Sequence, residues 1–306
     1  MAAPMKLVRC TGSAGVAWRR GFPRLFGQRL RCFSLSGSKL EAAAPQENTK
    51  ASPDFFRTGE DCPANHGMQH IGQYYSIPMK QVKRILPVGY STRWEQMIGT
   101  FRESAIMVRQ PAVEIIDCLK RTDYDHPPIR YVLYGHRGSG KTMTLSHVIH
   151  YCHSQDWVIV HIPCANLWNH SNKGRFDYID SVRHEGMYDR PALSADWLKQ
   201  FRLRNENTLK KLVTGQSYEW SRREMTEEGQ PLLAVVEQGI NRPKNASDAI
   251  GVVLKELQRQ STSGSFKMLY AIKSVNGLFA DKTVIRKPGG YIIPVKEITL
   301  VKHFKK

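Results

Sequence analysis

The sequence predicts an α/β fold, a parallel sheet flanked by helices, and three observations carry that expectation. Apolar stretches of strand length, "IRYVLY", "WVIVHI" and "FKMLYAI", alternate with longer segments of helical period. A glycine-rich turn, "GHRGSGKT", joins the first of these strands to the helix that follows. The 306 residues are 41% hydrophobic, enough to bury a sizeable core in one large domain or two small ones. Strands that alternate with helices favour parallel pairing, because each crossover helix covers a face of the sheet.

Taken in order, the chain begins with eight basic residues (Lys6, Arg9, Arg19, Arg20, Arg24, Arg29, Arg31, Lys39) and no acid before Glu41. Wound as a helix, residues 15–31 put Arg20, Arg24 and Arg31 on one stripe and Trp18, Phe22, Leu25 and Phe26 opposite, with Arg29 and Pro23 interrupting. An arginine-rich, acid-free amphipathic start predicts a mitochondrial transit peptide over residues 1–33 and a mitochondrial matrix location; a basic arm for nucleic acid is the alternative. The tetrapeptide "RCFS" resembles a matrix-peptidase cleavage site, whereas a secretory signal would need a continuous apolar region that is missing. Residues 34–60 are small, polar and proline-containing, and read as linker. Residues 61–96 show no sustained period and read as an extended arm wrapping a surface.

The remaining 97–306 are expected to form the main domain. Residues 97–119 read as two helices broken before Pro111. Strand Arg130–Tyr134, helix 141–153 and strand 157–162 follow, then helices at 196–203 and 246–260 and a strand at 266–272. No apolar run approaches the roughly 18 residues that cross a bilayer, so no membrane span is expected.

The formal net charge is +18, and about +10 survives removal of the first forty residues. That balance suits a polyanionic partner, nucleic acid or an acidic membrane surface, although a +10 surplus also fits an ordinary solvated surface. Six cysteines without a C-x-x-C pair argue against a disulfide framework or a zinc ribbon and for a reducing compartment.

The chemistry concentrates in Gly135, His136, Arg137, Gly138, Ser139, Gly140, Lys141 and Thr142, which fit G-x-x-x-x-G-K-[ST] with one extra glycine. Between an apolar strand and a helix, this pattern predicts a P-loop, hence a P-loop NTPase-like fold. Glycines let consecutive amides point into one concavity, and the helix start adds unpaired donors. Lys141 supplies the charge for the β- and γ-phosphates, and the Thr142 hydroxyl is the expected ligand to Mg²⁺. Hydrolysis normally needs an acid at the end of a neighbouring strand to hold the magnesium. Here Lys273 stands after Ile272 where that acid is expected, and an ammonium cannot ligate a cation. Nucleotide binding with weak or absent turnover is therefore expected, with no catalytic residue assigned, and Asp281 and Glu237 are unconvincing substitutes. No N-K-x-D stretch selects guanine, so GTP and ATP are equal on local chemistry. His147, His150 and His153 fall on the polar side of the helix and are expected to face solvent or a partner rather than a metal.

These features, with "DCPANHGMQHIGQYYSIP", "MVRQPAVEIIDCLK", "HVIHYC", "DWVIVHIPCANLW" and "EQGINRPKNASDAIGVVLKEL", resemble the death-associated protein three family of P-loop proteins. The likeness runs from about Asp61 to the last residue. It implies a guanine-nucleotide-binding protein (GTP or GDP, with Mg²⁺) in the small subunit of the mitochondrial ribosome. Its implied partners are small-subunit ribosomal RNA and other mitochondrial ribosomal proteins, with a family association with apoptosis. The phosphate-binding role carries over to Gly135 through Thr142. The second acid does not, since the family has Asp where this chain has Lys273. The family also continues beyond "KEITLVKHFKK", so a truncated or alternative product with a sheet incomplete at its C-terminal side is expected.

Overall fold

In the computed structural model the described residues are 6–10, 32–33, 56–86, 92–170 and 177–305. Apart from the strands Lys6–Cys10 and Cys32–Phe33, the expected transit peptide, 1–33, lies outside them, as does most of the 34–60 linker. Contacts divide the chain into two units, Met1–Pro78 with Met97–Tyr151, and Met79–Gln96 with Cys152–Lys306. Residues 61–96, expected as one extended arm, are therefore shared between the two.

After the strands Lys6–Cys10 and Cys32–Phe33, the first unit continues with two 3₁₀ turns, Pro63–Asn65 and Met68–His70, and a short strand, Tyr74–Ser76. That strand pairs antiparallel with Ala105–Met107, setting Tyr75 opposite Ile106 with both side chains buried. Aromatic and β-branched cross-strand pairs of this kind hold short strands together, which is why an aperiodic, glycine-punctuated segment is folded rather than extended.

The two helices expected across 97–119 are present, but a strand lies between them. Helix Thr92–Phe101 stops at Arg102, whose φ of 52° is left-handed, and the strand Ala105–Met107 intervenes before helix Gln110–Lys120. Pro111 does not break a helix; it sits in the first turn of one, where its missing N–H costs no hydrogen bond. The helix buries Ala112, Val113, Ile115, Ile116 and Leu119, and Lys120 Nζ donates to the Ala64 carbonyl at 2.6 Å.

Strand Arg130–Tyr134 has its expected bounds, but its described partner is Lys6–Cys10, antiparallel, with Leu7 opposite Leu133. It is half-buried, and Tyr134 at its end is 42% exposed. Helix Lys141–Ser154 follows the loop.

The second unit holds the parallel pairing. Val158–Ile162 lies beside Met268–Ile272 with Val160 opposite Tyr270 and Ile162 opposite Ile272. Among the described residues the parallel sheet has these two strands, fewer than the expected α/β sheet. The Asn205 side chain brackets Ile159, accepting from its N–H at 2.8 Å and donating to its carbonyl at 3.0 Å. A side chain thus satisfies the strand edge there, blunting it against other chains.

Helices Pro191–Leu209, Leu232–Asn241 and Ala246–Thr262 pack on one another and bring Leu198, Phe201, Val236, Ala249 and Val253 into a single core with Val158, Val160 and Ile162. The first is longer than the expected 196–203 because buried polar residues, Ser194, Arg204 and Asn205, hide its period. Arg190, wholly buried, pairs with Asp177 and donates to the carbonyls of Trp168 at 2.8 Å and His170 at 2.9 Å. A hairpin, Lys282–Arg286 with Ile292–Pro294, turns on Gly289 and Gly290, with φ of 91° and 85°, and leads to helix Thr299–Phe304.

Candidate functional site

The loop after Tyr134 turns on its glycines. Gly135, Gly138 and Gly140 have φ of 144°, 87° and 87°, conformations that side chains resist. Gly138 faces open space, Ser139 is buried, and Ser139 N–H donates to the His136 carbonyl at 3.3 Å. His136 and Arg137 are exposed, and Thr142 is half-buried in the first turn of the helix. All eight residues of the sequence motif are therefore brought together in one turn between strand and helix.

Lys141 reaches back over this turn. Its ammonium donates to the carbonyls of Gly135 at 2.9 Å and His136 at 2.7 Å and to Ser139 Oγ at 3.2 Å. The charge is held against the loop by neutral oxygens, which an anion with its own oxygens can replace. Sequence reasoning missed a second cation. Arg109 Nη2 donates to the Ser139 carbonyl at 2.9 Å, and a Cβ on Gly140 would fall 2.6 Å from its guanidinium carbon. No spacing rule connects residue 109 to 135–142; the only signal was a basic residue just before the helix-starting "QP".

A phosphate group fits this turn: left-handed glycines, an open face at Gly138 and two cations. A magnesium ion would have one protein ligand here, the Thr142 hydroxyl. Among the described residues no group of three His, Cys, Asp or Glu is arranged to hold a metal, so phosphate oxygens and water would supply the rest.

Two of the three histidines expected on the helix surface, His147 and His150, are buried instead, and His153 is half-buried. His147 is 0% exposed and His150 is also buried, because residues of the Pro63–Ser76 stretch lie against this helix. His66 Nδ1 meets His147 Nε2 at 2.8 Å, His66 Nε2 meets the Glu60 carbonyl at 2.8 Å, and Tyr75 stacks on His150. Burial, followed by the neighbouring His66 and His150, pushes the His147 pKa down to about 3. The Cys152 thiol, also buried, is pushed up.

In the second unit Lys273 stands where the sequence placed it, one residue beyond the Ile162–Ile272 pair. Its N–H donates to the Ile162 carbonyl at 3.0 Å and its carbonyl accepts from Ala165 N–H at 3.0 Å. His161, in the adjoining strand, has its pKa lowered to about 3 by burial and then by the charges of Arg204 and Lys273. Among the described residues no helix is long and apolar enough to cross a membrane.

The architecture is that of an α/β protein carrying a cationic, glycine-built loop at a helix start. A profile of the mitochondrial ribosomal death-associated protein 3 family matches residues 106–306. The chain is 43% identical to small ribosomal subunit protein mS29 of Bos taurus over 267 residues, 87% of this chain and 66% of that protein. It is 41% identical to small ribosomal subunit protein mS29 of Mus musculus over 290 residues, 94% of this chain and 73% of that one. The protein of the same name from Neurospora crassa is 26% identical over 212 residues, 68% of this chain and 43% of its own length. The chain belongs to the mitochondrial ribosomal death-associated protein 3 family, and its place is the mitochondrial matrix.

Proposed function

We propose that the chain is a structural component of the small subunit of the mitochondrial ribosome that holds a guanine nucleotide, GTP or GDP with Mg²⁺, on residues 135–142. The observation that carries the nucleotide half is the loop itself, three left-handed glycines with the Lys141 ammonium poised over the Gly135 and His136 carbonyls. The fold is read as P-loop NTPase-like on the position of that loop between strand Arg130–Tyr134 and helix Lys141–Ser154. The ribosomal half rests on family membership and on the printed name of the relatives, small ribosomal subunit protein. Ribosomal RNA and neighbouring ribosomal proteins are its proposed partners, the former suited to the surplus of about +10. A link with apoptosis follows from the family's name alone.

Turnover is expected to be weak or absent. With Lys273 at the end of strand Met268–Ile272, a cation stands where a magnesium-holding acid would. Bound nucleotide then acts as a ligand that stabilises the folded chain by linkage.

The test is equilibrium binding of GTP, GDP and ATP to the purified chain beside single-turnover hydrolysis, with co-sedimentation on mitochondrial small subunits. Guanine-selective binding without turnover, and co-migration with the subunit, are the expected results. Turnover on the scale of working enzymes, about 1 per second or more, would instead favour a matrix GTPase or ATPase acting as a switch.

A further inference from the structure

Arg109 does more at the loop than a surface arginine would. Its guanidinium lies against Gly140 so closely that an added Cβ would stand 2.6 Å from Cζ and 2.8 Å from Nε and Nη1. Nη2 donates to the Ser139 carbonyl at 2.9 Å, while Nε is buried and has no hydrogen-bond partner among the described residues. Among the described residues neither Arg109 nor Lys141 forms an ion pair with a carboxylate. Two cations therefore share one turn whose bonded oxygens are all neutral. A buried donor left without an acceptor is destabilising, and a guanidinium fork matches phosphate oxygens better than a carbonyl.

The same residue starts the next element. The Arg109 carbonyl accepts from Ala112 N–H at 2.9 Å and Val113 N–H at 3.2 Å, opening helix Gln110–Lys120. One residue thus has its side chain on the loop and its carbonyl in the first turn of a helix.

We infer that Arg109 is a phosphate-contacting residue of this site, taking an oxygen of a nucleoside di- or triphosphate, and that its carbonyl relays occupancy to the first turn of helix Gln110–Lys120. The inference rests on the nucleotide-binding reading above. When phosphate arrives, the fork turns from a single neutral carbonyl to a charged, two-oxygen acceptor. The backbone at 109 is then held more firmly, and the helix start with it. Lysine at 109 keeps the charge but lacks the planar fork.

The test uses the full chain and three variants, Arg109→Lys, Arg109→Ala and Lys141→Ala, with fluorescent GDP and GTP analogues and with inorganic pyrophosphate. Amide exchange at Ala112 and Val113 is followed with and without nucleotide. Arg109→Lys and Arg109→Ala are expected to weaken nucleotide and pyrophosphate binding about ten- to a hundredfold. Nucleotide should slow exchange at both amides in the unsubstituted chain and leave it unchanged in Arg109→Lys. An arginine that merely buttresses the loop would lower the melting temperature without nucleotide and leave affinity alone. Should Arg109→Ala fail to fold, Arg109→Lys decides. If Lys141→Ala abolishes binding while Arg109→Lys binds like the unsubstituted chain, the inference fails and the site stands. If the unsubstituted chain binds no nucleotide, the site reading fails and takes the inference with it.

Discussion

After Tyr134 and after Ile272 the chain leaves a strand into a tight turn, and the two turns are made of different material. The first uses three glycines with positive φ and gathers Lys141 and Arg109 onto backbone oxygens. The second passes through Lys273 and a left-handed Ser274 (φ 58°) into the 3₁₀ turn Val275–Leu278. There Gly277 is pressed against Asn166, and its carbonyl takes a 2.7 Å hydrogen bond from Asn169. A cradle made of backbone survives most changes of side chain, whereas a magnesium-holding role depends on the chemistry of one side chain. On the proposed reading, affinity for a phosphate and the machinery to hydrolyse it are separable in the sequence, the glycine-built turn serving the first and Lys273 standing in place of an acid for the second.

Each limb of that contrast can be broken by experiment. The largest effect belongs to the core of the second unit, where Phe201 is 1% exposed and stacks on Trp197. Phe201→Ala should cost about 3–5 kcal/mol of stability, read from chemical denaturation. Lys141→Ala should weaken nucleotide binding more than tenfold, beyond about 1.4 kcal/mol, since it removes the charge proposed to face the phosphates. Its unfolding midpoint without nucleotide should stay near that of the unsubstituted chain, and an unchanged affinity would dismiss the loop as the site.

Acid probes both regions next, because each contains a histidine held neutral, His147 in the first unit and His161 in the second. Both have folded pKa values of about 3 against an ordinary 6.5, so between those limits the unfolded chain binds more protons than the folded one. Stability should hold above 6.5 and decline as pH falls through the window, by about 1.4 kcal/mol per pH unit for each imidazole. Melting curves from pH 7.5 to 5 for His147→Asn and His161→Asn should each show a flatter decline; parallel slopes would show that these groups do not govern it. The smallest expected change is in Lys273→Asp, which should raise the magnesium dependence of nucleotide binding. Superimposable magnesium titrations of the two forms would remove Lys273 from the argument.

Much of the local structure was legible because it is encoded over short distances. Strand Arg130–Tyr134 and the start of the helix at Lys141 appear where apolar period and glycine punctuation put them. Strand partners were not legible: nothing in "IRYVLY" names Lys6–Cys10, and the parallel sheet among the described residues is the single pair of Val158–Ile162 and Met268–Ile272. The three histidines read as surface because polarity was taken for exposure. His66 and Tyr75, distant in sequence, supply the partners that let two of those imidazoles sit inside. Arg109 escaped notice for the same reason, since its contact with Ser139 spans 30 positions.

The imidazole contacts also impose a direction. The Glu60 carbonyl can only accept, so His66 carries its hydrogen on Nε2, and its Nδ1 must receive one from His147 Nε2. That leaves His147 Nδ1 as a buried lone pair with no hydrogen-bond partner among the described residues. The wiring between Glu60 and the helix therefore has one neutral tautomer and one polarity. An extra proton can enter only at the atom with nothing beside it to share the charge.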